Sequence, residues 1–384
     1  MTVHESVRAF SSTAARRAFV RRFAAEGLLP YDYQSLDGNI QTLYHTPQRS
    51  AYLLIAEYLQ MSGSAVRATD CVVEYVRHDV LQAYATSDGG FHHVAVTHAL
   101  PLLFQILFQT LLRDTSPFDG RAAKQPLDVA FPDSLTELPG EEGAPLDAAA
   151  LLAGTMPAER WQKIVATRLS EIAVLFCFCH ELSHLVWGHT ALAARRGAWG
   201  LHEIEGSTRA TRRPVSHALS QTWEIQADRH ATAFLIGYGF NNAAYRQRLA
   251  RHLLCRGAGA TREQLLERMV YAISFVFFLF GQRQRDVASP GTHPSALTRQ
   301  TFLLANIVVQ FMRKYPDADE EAITLATQWA ATVAERAWNR LGFAFGEYDD
   351  RIEALGGVVQ RLARHDALAA RLLRRHQWLA REAR

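Results

Sequence analysis

The residues of this 384-residue chain best suited to do chemistry are His180, Glu181 and His184. They read H-E-x-x-H, inside an apolar run from Ile172 to Trp187 that predicts a buried helix. Residues four apart share one helix face, so His180 and His184 can point two imidazoles at one cation. Glu181 lies about a hundred degrees round the helix, where it can reach a metal-bound water. Neutral imidazoles bind zinc, and zinc lowers the pKa of its water to about 7. A carboxylate can take that proton and later deliver it to a leaving amine. The motif therefore predicts Zn2+ as cofactor and a zinc-dependent metallopeptidase. The bland alternative is a buried helix with two hydrogen-bonded histidines.

A catalytic zinc needs a third protein ligand and one open position. Glu224 and Asp228, in the helical segment Trp223 to Ala231, are four apart and face one side. Glu224 can be the third ligand. Asp228 can accept a hydrogen bond from a ligand histidine and fix its tautomer. Most such pairs are solvated surface groups, but Trp223, Ile225, Ala227, Ala231 and Phe234 predict one buried face here. Further on, His293 precedes Pro294, which disfavours helical backbone at the histidine. Projecting from a turn, His293 can donate to a tetrahedral oxyanion; a plain helix-entry turn competes with that reading. Upstream, Asp88-Gly89-Gly90 between two extended runs signals a hairpin. A strand edge beside the site can hold an extended peptide.

These pieces resemble the gluzincin metallopeptidases, the class of the CAAX prenyl protease and the HtpX heat-shock protease, with soluble relatives such as the phage-exclusion peptidase Lit. The shared order is a hairpin (Gln82 to Thr97), H-E-x-x-H followed by Gly188-His189, then E-x-x-A-D (Glu224, Ala227, Asp228), then His293-Pro294 with Arg299 beyond. The resemblance spans roughly Ala68 to Arg299, with large unmatched insertions. It implies His180, His184 and Glu224 as ligands, Glu181 as general base, Asp228 behind the ligands and His293 lining the site. It also implies a protein or peptide substrate, cut in phage defence or stress. The metzincin pattern is absent, because Gly188 comes one residue late, which makes His189 a poor third ligand.

The elements that must position these groups predict an α+β fold, mainly α: a zincin-like core with a small antiparallel sheet and added N- and C-terminal helices. We divide the chain into an N-terminal helical region (1–65), a catalytic domain (66–299) and a C-terminal helical region (300–384). A proline-rich insertion at about 114–147 reads as a loop or lid, and Ala194 to Pro214 as a loop near the cleft.

Hydrophobic residues at 48% suffice for a core, and a net charge of +3 is too small to imply nucleic-acid binding. The longest apolar run, Met269 to Gly281, falls short of the roughly 20 residues of a membrane span, so no integral span is expected. The arginines scattered from Arg361 to Arg384 read as a solvated helical face. Cys177 and Cys179 lie in the motif helix and read as buried thiols of a reducing compartment; Cys177 shares the face of His180 and can floor the site. The five arginines between Arg8 and Arg22 vaguely suggest a transit peptide, but Glu5 and Glu26 oppose it. We read an amphipathic surface helix and a cytoplasmic protein. The oligomeric state is not legible.

Two rival classes share part of this evidence. A zinc-bearing regulatory or pseudo-enzyme subunit acting through protein–protein interaction has no need of Glu181. A helical interaction protein with a coincidental motif predicts no metal.

Overall fold

The computed structural model describes residues 10–62, 64–113, 118, 138, 147–157, 159–195, 201–202, 217–254, 261–286 and 294–343. The proline-rich stretch, apart from single positions, most of Ala194 to Pro214, His293 and the arginine-rich C-terminus lie outside them.

The short-period apolar pattern near residue 80 builds a four-stranded sheet: β1 (Cys71–Val76), β2 (Ala83–Asp88), β3 (Phe91–Thr97) and β4 (Leu201–His202), in the order β1-β3-β2-β4. The expected hairpin joins β2 and β3, with Asp88 paired to Phe91. Its two loop residues, Gly89 and Gly90, take φ of 54° and 88°, as a type I′ turn requires at both positions. The sheet is mixed rather than wholly antiparallel. β2 runs antiparallel to β3 and β4, but β1 pairs parallel with β3. The cause is topological: β3 inserts between β1 and β2 instead of adding at the outer edge.

Side chains alternate across this sheet. Val72, Val76, Tyr84 and Ala95 face Phe19 and Phe23 of α1 (Thr13–Ala24). Val73, Tyr75, Ala83, Ala85, Val94 and Val96 join the main core. That core continues through α2 (Gly38–Ser62), α3 (Ala99–Leu112), α4 (Ala148–Thr155), α5 (Arg160–Val186), α7 (His217–Asn241), α8 (Ala243–Leu253), α9 (Arg262–Asp286), α10 (Ala296–Lys314) and α11 (Glu320–Arg340). A short helix, α6 (His189–Arg195), follows α5.

The motif helix α5 is the central element, packed against α2, α3, α7, α8, α9 and the strands β2 and β3. From Leu169 to Val186 every residue is buried, which a helix apolar on all sides requires. Two helices, Arg160–Val186 and Arg262–Gln282, are long and apolar enough to cross a membrane, but their most apolar windows are 100% and 83% buried within the fold. They serve as core helices here, so the described residues offer no clear span.

One buried group outside the site has a measurable consequence. His93 on β3 is 0% exposed, packs edge-on to Phe19 with ring centroids 5.6 Å apart, and meets no hydrogen-bond partner among the described residues. Burial, helped by His92 and Arg22, pushes its pKa down to about 3. The folded state therefore favours the neutral ring. Its stabilising effect is complete above the usual histidine value near 6.5 and is lost as pH falls from there toward 3. His93→Leu should flatten the fall of melting temperature between pH 6.5 and 4; an unchanged slope would contradict this.

Candidate metal centre

Helix α5 begins where Gln162 accepts from the Glu159 backbone N–H at 3.2 Å, half of a capping box. It stops at Gly188, whose φ of 78° suits glycine. That stop turns the chain back, so that His189, the first residue of α6, lies against His184. Helix α7 packs along α5 and presents Glu224, Gln226 and Asp228 from one stretch. Helix α10 starts at Ser295, whose side chain accepts from Thr298 N at 3.1 Å. Its first turn delivers Arg299 to the same place.

His180, His184 and Glu224 converge in one buried group whose donor atoms all lie within 4.8 Å of one another. His180 Nε2 and His184 Nε2 are 3.1 Å apart. Glu224 Oε2 is 3.3 Å from His180 Nε2, and Glu224 Oε1 is 3.5 Å from His184 Nε2. A tetrahedral zinc with bonds of about 2.0–2.1 Å has donor–donor edges of about 3.3–3.4 Å. The three distances bracket that value, so the donor set fits such an ion.

The surrounding hydrogen bonds set the tautomers. His180 Nδ1 lies 2.9 Å from Asp228 Oδ1, a contact that favours a proton on that nitrogen. His184 Nδ1 lies 2.9 Å from His189 Nδ1, and His189 Nε2–H donates to Gln226 Oε1 at 3.0 Å. His189 therefore accepts at Nδ1, and His184 must carry its proton on Nδ1. Both histidines of the donor group then turn Nε2 lone pairs toward each other, an arrangement that a shared cation would relieve.

Arg299, 2% exposed, clamps Asp228 from the far side. Its Nε donates to Oδ2 and its Nη2 to Oδ1, both at 2.8 Å. Its Nη1 lies 3.7 Å from Glu224 Oε2, and its guanidinium sits 5.4 Å from the centre of the Phe277 ring. Burial alone would raise the Asp228 pKa, but Arg299 and the His180 hydrogen bond outweigh it and hold the carboxyl below its usual value. Burial pushes His189 down to about 3, keeping it neutral. Glu181, Glu224 and Asp228 are all buried, and Arg299 lies beside the last two; a divalent cation would offset the carboxylate charge further.

Glu181 is 1% exposed and borders a small cavity with Ala83 of β2, Cys177, His180, Phe176, Phe280 and Arg299. The cavity measures about 10 Å³, about the space of one water. Cys177 thus floors the space beside His180 and Glu181. Burial pushes the Cys179 thiol up, which leaves it inert.

The structure brings together five of the six residues singled out in the sequence: His180, Glu181, His184, Glu224 and Asp228. The sixth, His293, lies outside the described residues; its neighbours Pro294 and Ser295 form a helix start. Sequence reasoning gave Arg299 no partner, weighed His189 only as a poor third ligand and passed over Gln226. A signal existed for His189: a glycine stop just after a motif histidine returns the next residue to it. None existed for Gln226, a neutral residue between two carboxylates.

No curated protein and no solved structure shows a match to this chain. Residues 126–315, just under half of the chain, match the model of the family described as Peptidase U49. The match supports peptidase activity, and its span contains every residue of the donor group, Glu181, Asp228 and Arg299.

Proposed function

We propose that this chain is a zinc metalloendopeptidase of the gluzincin type, hydrolysing peptide bonds in an intracellular protein substrate. The observation that carries the reading is the buried triangle of His180, His184 and Glu224 with Glu181 beside it. When bound, zinc supplies a lowered water pKa, about 7, and draws electron density from the scissile carbonyl. His180, His184 and Glu224 would hold it. Asp228 and Arg299 orient His180. Glu181 takes a proton from the attacking water on its carboxylate and returns it to the leaving amine nitrogen. His293, which precedes α10 in the sequence, would donate to the oxygen that gains charge.

The resemblance to Lit supports a role in phage defence or stress, on one protein target. The buried thiols of Cys71, Cys177 and Cys179, which form no disulfide among the described residues, are in keeping with a reducing cytoplasm.

The test is a comparison of new protein N-termini after a cell lysate is incubated with zinc-loaded wild type or Glu181→Gln. A defined set of cuts made by the wild type alone is expected. The same termini from both proteins would contradict the proposal.

A further inference from the structure

Beyond the ligands and Asp228, the geometry points to His189 and Gln226 as a positioning pair that holds His184 ready for the metal. This inference rests on the metallopeptidase reading above. The two ligand histidines are held by different means. His180 is fixed by a charged arm, Asp228 clamped by Arg299. His184 is fixed by a neutral one: Gln226 Oε1 accepts from His189 Nε2–H at 3.0 Å, and His189 Nδ1 lies 2.9 Å from His184 Nδ1. The end of this chain of contacts is the Gln226 amide, whose oxygen, the atom facing His189, accepts but does not donate. That end settles the rest. His189 must place its proton on Nε2, its Nδ1 must accept, and His184 must donate from Nδ1 and leave Nε2 for the cation.

The pair is also locked in place. His189 and Gln226 are 0% and 7% exposed. The His189 ring stacks on Trp223, with centroids 5.2 Å apart and planes at 12°. Trp223 and Gln226 flank Glu224 on α7, so the helix that supplies the third donor also sets the tautomer of the second. A charged arm on one side and a neutral one on the other differ in what they do to their histidine. A carboxylate makes its imidazole more basic, whereas the amide and imidazole mainly orient it.

The test uses the full chain. Zinc affinity is measured by chelator competition for wild type, Gln226→Leu and Gln226→Glu, with the thermal stability of each metal-free protein alongside. Loss of the acceptor in Gln226→Leu should weaken zinc about 10- to 100-fold. Gln226→Glu keeps an acceptor at the same reach and should stay within a few-fold of wild type. If Gln226 only packs, the leucine variant changes stability and leaves zinc affinity alone, which would overturn the inference. A second measurement does not depend on any variant folding. In zinc-loaded wild type with 15N-labelled histidine, His189 should carry its proton on Nε2 and His184 on Nδ1. A proton on His189 Nδ1 would overturn the pair. Wild-type protein that takes up no zinc at all would instead fail the metallopeptidase reading, and this inference with it.

Discussion

Glu181→Gln is expected to fold, to bind zinc with wild-type stoichiometry, and to lose peptidase activity by about 10²- to 10⁴-fold, the usual contribution of a general base. Glutamine keeps the shape of the side chain in the cavity shared with Ala83, Cys177, His180 and Arg299, so packing should survive. It cannot accept a proton at neutral pH. The substitution also removes the charge of one of three buried carboxyl groups, Glu181, Glu224 and Asp228, so metal-free stability should hold or rise. The measurement pairs metal content with the rate of the cleavage found in the lysate comparison. Cleavage at the wild-type rate would remove Glu181 from the base role while leaving the donor triangle untouched.

Arg299→Leu should be the most destabilising substitution near the site. Arg299 and Asp228 are each about 2% exposed, and two 2.8 Å hydrogen bonds join them. Removing one partner of such a buried pair costs about 3–5 kcal/mol, because the remaining charge is left uncompensated. Urea unfolding of the metal-free protein at pH 7 should show a loss of that size. The pH dependence gives a second reading. In the wild type the Asp228 pKa is lowered, so its contribution is present above the ordinary carboxylate value and is lost as pH falls through the folded one. Without Arg299, burial raises that pKa instead, and the carboxyl becomes cheaper to bury as it protonates. The gap between wild type and variant should therefore narrow from pH 7 toward pH 4. A gap below about 0.5 kcal/mol at pH 7, within the range of ordinary surface substitutions, would show that Arg299 is not the counter-charge of Asp228.

Local patterns carried most of what the sequence revealed. The four-residue spacing of His180 and His184 needs only one helix to become a donor pair, and so does that of Glu224 and Asp228. The Asp88-Gly89-Gly90 turn likewise needs only its own backbone, because both glycines adopt positive φ. What escaped the sequence was set by packing between distant segments. β1 runs parallel to β3 because a later strand inserts beside it, which no local alternation encodes. Arg299 meets Asp228 across 71 residues, and His189 meets Gln226 across 37. Their types alone, a lone arginine after a helix start and a neutral amide, do not name a partner. The mainly helical class was legible from long helical patterns, and two of those helices are apolar enough to reach membrane-span character while lying inside the fold.

The most direct test of the central claim is metal content by mass spectrometry on purified wild-type and Glu224→Ala protein, prepared without chelator and offered zinc. The account predicts one zinc per wild-type chain, lost or sharply weakened in the variant. Wild-type protein that holds no metal under those conditions would contradict it.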